Sequence, residues 1–161
     1  NADIIVRITA DDPLKDYRLI DKIIDLLITN KLDFVTNNNP PTFPEGLDVE
    51  AFTMSALSTC YINSCTLNHM EHVTQYVYEN IKQFKFYNLK NNIDLSRYRW
   101  TLDTKEDYLF IKEVYKALYK KNNLFLTQEI YNLIEKNERL IEINSSVKRS
   151  IQYKINDYEN K

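Results

Sequence analysis

Glycine is nearly missing from this 161-residue chain: Gly46 stands alone, where average usage would place about eleven. That scarcity argues against a self-contained phosphate loop, whose glycines let backbone N–H groups approach a phosphate. Neither GxGxxG nor GxxxxGK followed by Ser or Thr occurs. Cysteine is limited to Cys60 and Cys65. Five residues apart on a helix, they point about 140° apart around its axis, which disfavours a local disulfide and leaves buried free thiols as the expectation. No run reaches the roughly 20 apolar residues of a membrane span, and the N-terminus lacks a signal peptide's positive flank and apolar core, so the chain reads as cytoplasmic. Nor does one sign of charge dominate. With 21 Lys and Arg against 23 Asp and Glu, the net charge of -2 offers no general attraction to nucleic acid or an anionic membrane, and neither is expected as a partner.

What is present is 43% hydrophobic and 27% charged residues, enough for the core of one soluble globular domain. Ile4 to Ile8 forms a β-branched apolar run, the pattern of a strand buried on both faces. Leu19, Ile20, Ile23, Ile24, Leu27 and Ile28 then mark an amphipathic helix from about Asp16 to Asn30, and Asp33 to Thr36 a second strand. Strand, helix and strand suggest a right-handed βαβ unit in a parallel sheet. Residues 37–47, NNNPPTFPEGL, read as a loop. Further strands are expected at Asp48–Phe52, Lys82–Tyr87 and Arg97–Leu102, and helices at Met54–Tyr61 and His69–Asn80. Thr104, with Asp107 three residues on, caps a helix whose buried face runs from Leu109 through Phe110, Ile111, Val114, Tyr115 and Leu118 to Tyr119. A last helix covers Thr127–Lys136, inside a helical extension and surface tail spanning 122–161.

Asp11 and Asp12 follow directly on the first strand, and Asp103 follows RYRWTL. In open parallel sheets the carboxyl ends of strands face the ligand crevice, so Asp11 and Asp103 could meet there and hold Mg²⁺ together with phosphate oxygens and water. Turn and helix-start roles explain the same aspartates. His69 and His72 share a helix face around Glu71 but have no third ligand nearby, which argues against structural zinc. Gly46 implies a positive φ or a close approach, with a plain tight turn as the alternative. Asp48 and Glu50 lie on one strand face, toward a pocket or a solvated edge. Arg99 offers a fork to a carboxylate or phosphate, or is a surface strand arginine. The helical spacing of Tyr76, Tyr78, Tyr108, Tyr115, Tyr119 and Tyr131 fits core-rim or interface positions better than base stacking.

The strings VRITADDPLKD, FPEGLDVEAF, EHVTQYV and LSRYRWTLDTKEDYLFIKEVY, in this order, resemble the cytidylyltransferase family that makes CMP-activated acidic sugars. The branch they match is the spore coat polysaccharide biosynthesis protein F type. The resemblance covers about residues 3 to 121, with a weaker echo in LIEIN at 140–144. It implies a three-layer α/β/α nucleotide-diphospho-sugar transferase-like fold with a mostly parallel sheet. It also implies transfer of CMP from CTP to a sugar, an acidic one, with release of pyrophosphate, and a homodimer in contact through about residues 40–90. In that family the Asp of the D-x-P block and the Asp of the W-T-x-D-T block bind Mg²⁺, which falls on Asp11 and Asp103. Glu71 and His72 of the EHVTQY block would face the acceptor sugar, and the segment holding Gly46, Asp48 and Glu50 would lie beside its pocket. No general base stands out; Glu71 is one candidate carboxylate.

Family members begin with a strand and a basic loop of the form IPAR-x-x-S-x-R-x-P-G-K that cradles the triphosphate. This chain starts at what would be a middle strand of the family sheet, so it is expected to be the C-terminal two-thirds of such a domain, without the N-terminal strands. An excised portion of a larger enzyme is the preferred account, with a separate N-terminal partner as another. The alternative function is a catalytically inactive sugar- or protein-binding relative of the same fold.

Overall fold

The computed structural model describes residues 2–120 and 124–149. Four strands form one sheet: β1 (Ile4–Arg7), β2 (Phe34–Thr36), β3 (Glu50–Thr53) and β4 (Phe86–Asn88), in the order β1-β3-β2-β4. β2 and β4 pair in parallel, while β3 runs antiparallel to both β1 and β2. β1, β2 and β4 thus share one direction with β3 opposed, so among the described residues the sheet is mixed, with one parallel and two antiparallel pairings, where a mostly parallel one is expected from the sequence. The simple βαβ pairing of the first two strands is corrected, because β3 sits between them. Register is continuous across the sheet, with Val6 and Val35 both opposite Ala51, and Val35 opposite Tyr87.

The strand period of two sorts side chains onto two faces. Val35 and Ala51 pack with Leu47, Val49 and Trp100 in one core, covered by α1 (Tyr17–Thr29), α5 (Lys105–Leu118) and α6 (Thr127–Lys136). Phe34 and Phe52 pack with Ala56, Cys60, Val77 and Tyr78 on the opposite face, under α2 (Met54–Asn63) and α4 (Gln75–Glu79). Two short helices, α3 (Leu67–Glu71) and α7 (Arg139–Glu142), complete the set. Helix, sheet and helix therefore make three layers, as expected.

Helix limits follow local chemistry. The Asp16 carboxylate accepts from the Arg18 backbone N–H to start α1, and Thr104 and Asp107 close a full capping box at the start of α5. On α5 the buried residues are Asp107, Phe110, Ile111 and Val114, whereas Leu109 and Tyr115, and Tyr119 just beyond the helix, are exposed. β1 is only half buried, not buried on both faces, because among the described residues it lies at the sheet edge. Cys60 is buried but Cys65 is exposed; both are free thiols.

Three expected elements differ. The helix expected over His69–Asn80 breaks between α3 and α4, because Thr74 is buried with its hydroxyl docked on the Glu50 carboxylate at 2.9 and 3.0 Å. The strand expected at Lys82–Tyr87 begins instead as a 3₁₀ turn, Ile81–Gln83, and pairs only at Phe86–Asn88. Arg97–Leu102 is not a sheet strand. Its partners are a single residue of the 37–47 loop, Glu45, and the backbone of Asp11. No helix among the described residues is long and apolar enough to cross a membrane. The tail expected beyond residue 149 lies outside the described residues.

Candidate functional site

A cleft of about 610 Å³ opens at the carboxyl ends of β1 and β2, the end at which open α/β sheets bind ligands. Asp11, Gly46, Asp48, Glu50, Glu71, His72, Arg99 and Asp103 all line it, so the eight residues singled out from sequence converge on one site. They come from four separate stretches of chain. Among them only Glu50 belongs to a strand, β3, while Glu71 closes α3.

Two backbone junctions build the floor. The Leu102 N–H donates to the Asp11 carbonyl at 2.9 Å, and the Thr101 hydroxyl donates to the same oxygen at 3.3 Å, which sets the two aspartate-bearing segments side by side. Glu45 then zips onto RYRW through its N–H to the Tyr98 carbonyl (3.0 Å) and its carbonyl from the Trp100 N–H (2.7 Å). Gly46 makes that junction possible. Its φ is +102°, and a Cβ there would lie 2.6 Å from the Thr101 nitrogen and from the Trp100 carbonyl carbon. Both readings of this glycine, positive φ and close approach, hold at once.

Arg99 is neither a surface residue nor an open fork. It is 7% exposed and its guanidinium is divided among three carboxylates. Nε donates to Asp107 Oδ1 at 3.0 Å and Nη2 to Asp107 Oδ2 at 3.0 Å, Nη2 also reaches Asp103 Oδ2 at 2.5 Å, and Nη1 lies 2.8 Å from Glu45 Oε2. Burial opposes its charge, but Asp107, Glu45 and Asp103 outweigh that and push its pKa up. Asp107 is fully buried; burial would raise its pKa, yet Arg99, Asn144 and the backbone N–H groups of Asp103 and Thr104 hold it down at about 2. Arg99 therefore acts as a brace that positions Asp103 at the cleft while Asp107 starts α5.

Glu50 is likewise a scaffold. Its carboxylate accepts from Tyr78 Oη at 2.6 Å and from Thr74 Oγ1, and pairs with Arg7 Nη1 at 3.0 Å. The break that Thr74 imposes between α3 and α4 is what leaves exposed Glu71 and half-buried His72 at the cleft. His69 points away, with Nε2 2.7 Å from Glu79 Oε2, so the two histidines share no site. Asp48 is pushed up to about 6 by burial, against the pull of Arg149 and Lys15 and with the help of Asp12 and Glu45. No group of three or more His, Cys, Asp or Glu able to hold a metal occurs among the described residues.

Sequence reading passed over several cleft residues. Arg7 carried a signal, a lone cation inside an apolar strand. Lys148 and Arg149 carried none, because they arrive from a C-terminal segment anchored by Asn144, whose Nδ2 donates to the Arg99 carbonyl and Asp107 Oδ1, both at 2.9 Å. Arg149 Nη2 reaches Asn38 Oδ1 at 3.1 Å and Asp48 Oδ1 at 3.3 Å.

A three-layer α/β domain with an acid-rich cleft at its strand ends is the build of a nucleotide-sugar transferase-like protein. No family model matches the chain. It is 36% identical over 153 residues to the uncharacterized protein MJ1063 of Methanocaldococcus jannaschii, covering 92% of this chain and 60% of that one. It is 28% identical over 136 residues to the spore coat polysaccharide biosynthesis protein SpsF of Bacillus subtilis, covering 83% and 55%. A solved cytidylyltransferase from Leptospira borgpetersenii superposes with a TM-score of 0.81 at 38% identity, over 86% of this chain and 58% of that one. In sequence and in fold the chain is thus similar to a cytidylyltransferase. It spans somewhat over half the length of each of these relatives.

Proposed function

We propose that the protein containing this chain transfers CMP from CTP to a sugar, an acidic one, with release of pyrophosphate, in the making of a surface polysaccharide or glycan precursor. The observation that carries this reading is the convergence of Asp11 and Asp103 on one cleft through the Leu102–Asp11 junction, in a fold shared with a cytidylyltransferase.

Asp11 and Asp103 fit Mg²⁺, which binds through one or two carboxylates and completes its shell with phosphate oxygens and water. Asp103 is 40% exposed in its side chain, and only its Oδ2 is engaged by Arg99, which leaves Oδ1 for a ligand. When bound, the ion supplies charge neutralisation at the phosphates. The chain's own residues do the positioning. Arg99 locks Asp103 through the buried Asp107, and Gly46 lets Glu45 approach closely enough to hold the RYRW segment. Glu71 and His72 sit on the wall where an acceptor hydroxyl would lie, and Glu71 is the carboxylate available to take its proton.

A homodimer fits the same reading. Tyr61, Ile62, Leu67 and Met70 are 69–85% exposed within the expected contact region, an apolar surface of the kind that subunit contacts cover. Sedimentation of the intact protein at micromolar concentration is expected to give a dimer, and a monomer there would remove this part.

The function is tested by pyrophosphate release from each of the four nucleoside triphosphates, with Mg²⁺ and a panel of acidic and neutral sugars, using the intact protein. CTP-selective release dependent on an acidic sugar is expected. No release from a folded protein with any pair would leave the inactive binding relative as the better description.

A further inference from the structure

We propose that Asn144, which does not itself line the cleft, is a positioning residue for Asp103: its buried amide fixes the corner between RYRW and α5 from behind. Its part in turnover rests on the nucleotidyl-transfer reading, whereas the mechanical link does not. Asn144 is 4% exposed and sits in the turn that follows α7. Its Nδ2 donates to the Arg99 carbonyl and to Asp107 Oδ1, each at 2.9 Å, so both hydrogens of the amide nitrogen are spent on this one corner.

The two acceptors flank Asp103 in sequence. Ahead of it Asn144 holds the backbone at Arg99, and beyond it the carboxylate of Asp107, with exposed Asp103 between these buried anchors. Asp107 in turn accepts from the Asp103 N–H at 3.1 Å and the Thr104 N–H at 3.0 Å, and it orients the guanidinium that grips Asp103 Oδ2. Without the amide, Asp107 Oδ1 is left to Arg99 Nε alone among the described residues. A buried carboxylate oxygen short of a donor is costly, and relief comes by turning the carboxylate, which shifts Arg99 and the two N–H groups with it. Close packing does not hold the corner in place there. A cavity of about 30 Å³, lined by Arg99, Trp100, Asn144 and Val147 among others, lies against it, so hydrogen bonds carry its position. The same residue also turns the chain back to the cleft, because the Val147 N–H donates to the Asn144 carbonyl at 3.0 Å and Val147, Lys148 and Arg149 follow as cleft wall.

The test is residue-resolved amide hydrogen exchange by NMR on the intact protein, in the wild type, in N144L, which keeps much of the volume without a donor, and in N144S, which keeps one. In N144L the Asp103 and Thr104 amides are expected to exchange at least tenfold faster while the Ala51 amide of β3 keeps its rate; in N144S the rise is smaller. Denaturation midpoints establish folding, and N144S carries the test at a threefold rise if N144L does not fold. Faster exchange at Val147 with Asp103 and Thr104 unchanged would make Asn144 a pin for the C-terminal segment only and overturn the proposal. In pyrophosphate release, kcat should fall tenfold or more in N144L with KM for CTP within twofold, and N144S should recover part of the loss. An unchanged kcat in folded N144L, or a loss confined to KM, would also overturn it. Exchange of the expected kind in a protein whose wild type releases no pyrophosphate would sink the transfer reading alone and leave the link between Asn144 and Asp103 supported.

Discussion

Removing the Arg99 guanidinium should do more damage than any other single change at the cleft. In R99M the flexible thioether fills much of the same volume, but Asp107, fully buried, loses two donors at 3.0 Å, and Glu45 and Asp103 lose their shared cation. Breaking a buried ion pair from one side costs about 3–5 kcal/mol, because the remaining charge is left uncompensated. The contribution of Asp107 to the pH dependence should also change sign. In the wild type the folded pKa of Asp107 is lowered to about 2 from an ordinary 3.8. Its stabilisation is therefore fully present above pH 4 and is lost as the pH falls toward 2. In R99M burial is no longer opposed by Arg99, so the folded pKa moves up and Asp107 adds to the loss of stability that Asp48 already causes above pH 4; R99M should therefore lose stability more steeply than the wild type between pH 4 and 7. Urea denaturation of the intact protein at several pH values, followed by circular dichroism, reads both effects. A cost below about 1 kcal/mol at pH 7, or a wild-type-like pH slope in R99M, would refute the claim that this brace is buried and charged.

Gly46→Ala forces a Cβ to within 2.6 Å of the Trp100–Thr101 backbone at a positive φ, and should cost about 2–4 kcal/mol in the same denaturation assay. An unchanged midpoint would show that the loop has room to move. Asp48→Asn removes a group whose folded pKa, about 6, lies above its ordinary 3.8. The unfolded chain gives up that proton first, so the wild type loses stability between about pH 4 and 6 and D48N does not; its advantage should be larger at pH 7 than at pH 4. A constant difference between the two proteins across that range would contradict the assignment. Thr74→Val deletes the hydroxyl that meets both Glu50 oxygens and should destabilise by about 1–3 kcal/mol, measured as a urea midpoint shift, with no effect meaning that Tyr78 and Arg7 hold Glu50 unaided.

Much of this was legible in the residues because the signals were local. The period of α1, α5 and α6 lies within single stretches of sequence, as does the Thr104–Asp107 capping box. The strand-end aspartates and the lone glycine marked the cleft before its walls were known. What escaped depended on distant partners. RYRWTL has the composition of a strand, yet its neighbours are a loop residue and the Asp11 backbone, so no ladder forms. The helical pattern through Val73 and Thr74 is overruled by a carboxylate 24 residues away. Arg149 meets Asp48 across 101 positions, a contact that only the anchoring of Asn144 beneath Arg99 brings about.

The central claim is that Asp103, set beside Asp11 and braced by Arg99, belongs to the transfer machinery. The direct test is formation of a CMP-linked sugar from CTP by the intact wild-type protein and by Asp103→Asn, assayed beside each protein's urea midpoint. An isosteric loss of charge at a 40% exposed side chain should abolish transfer, by about 100-fold or more, while leaving the protein folded. Full transfer by a folded Asp103→Asn would contradict the account and leave Asp103 as a surface partner of Arg99.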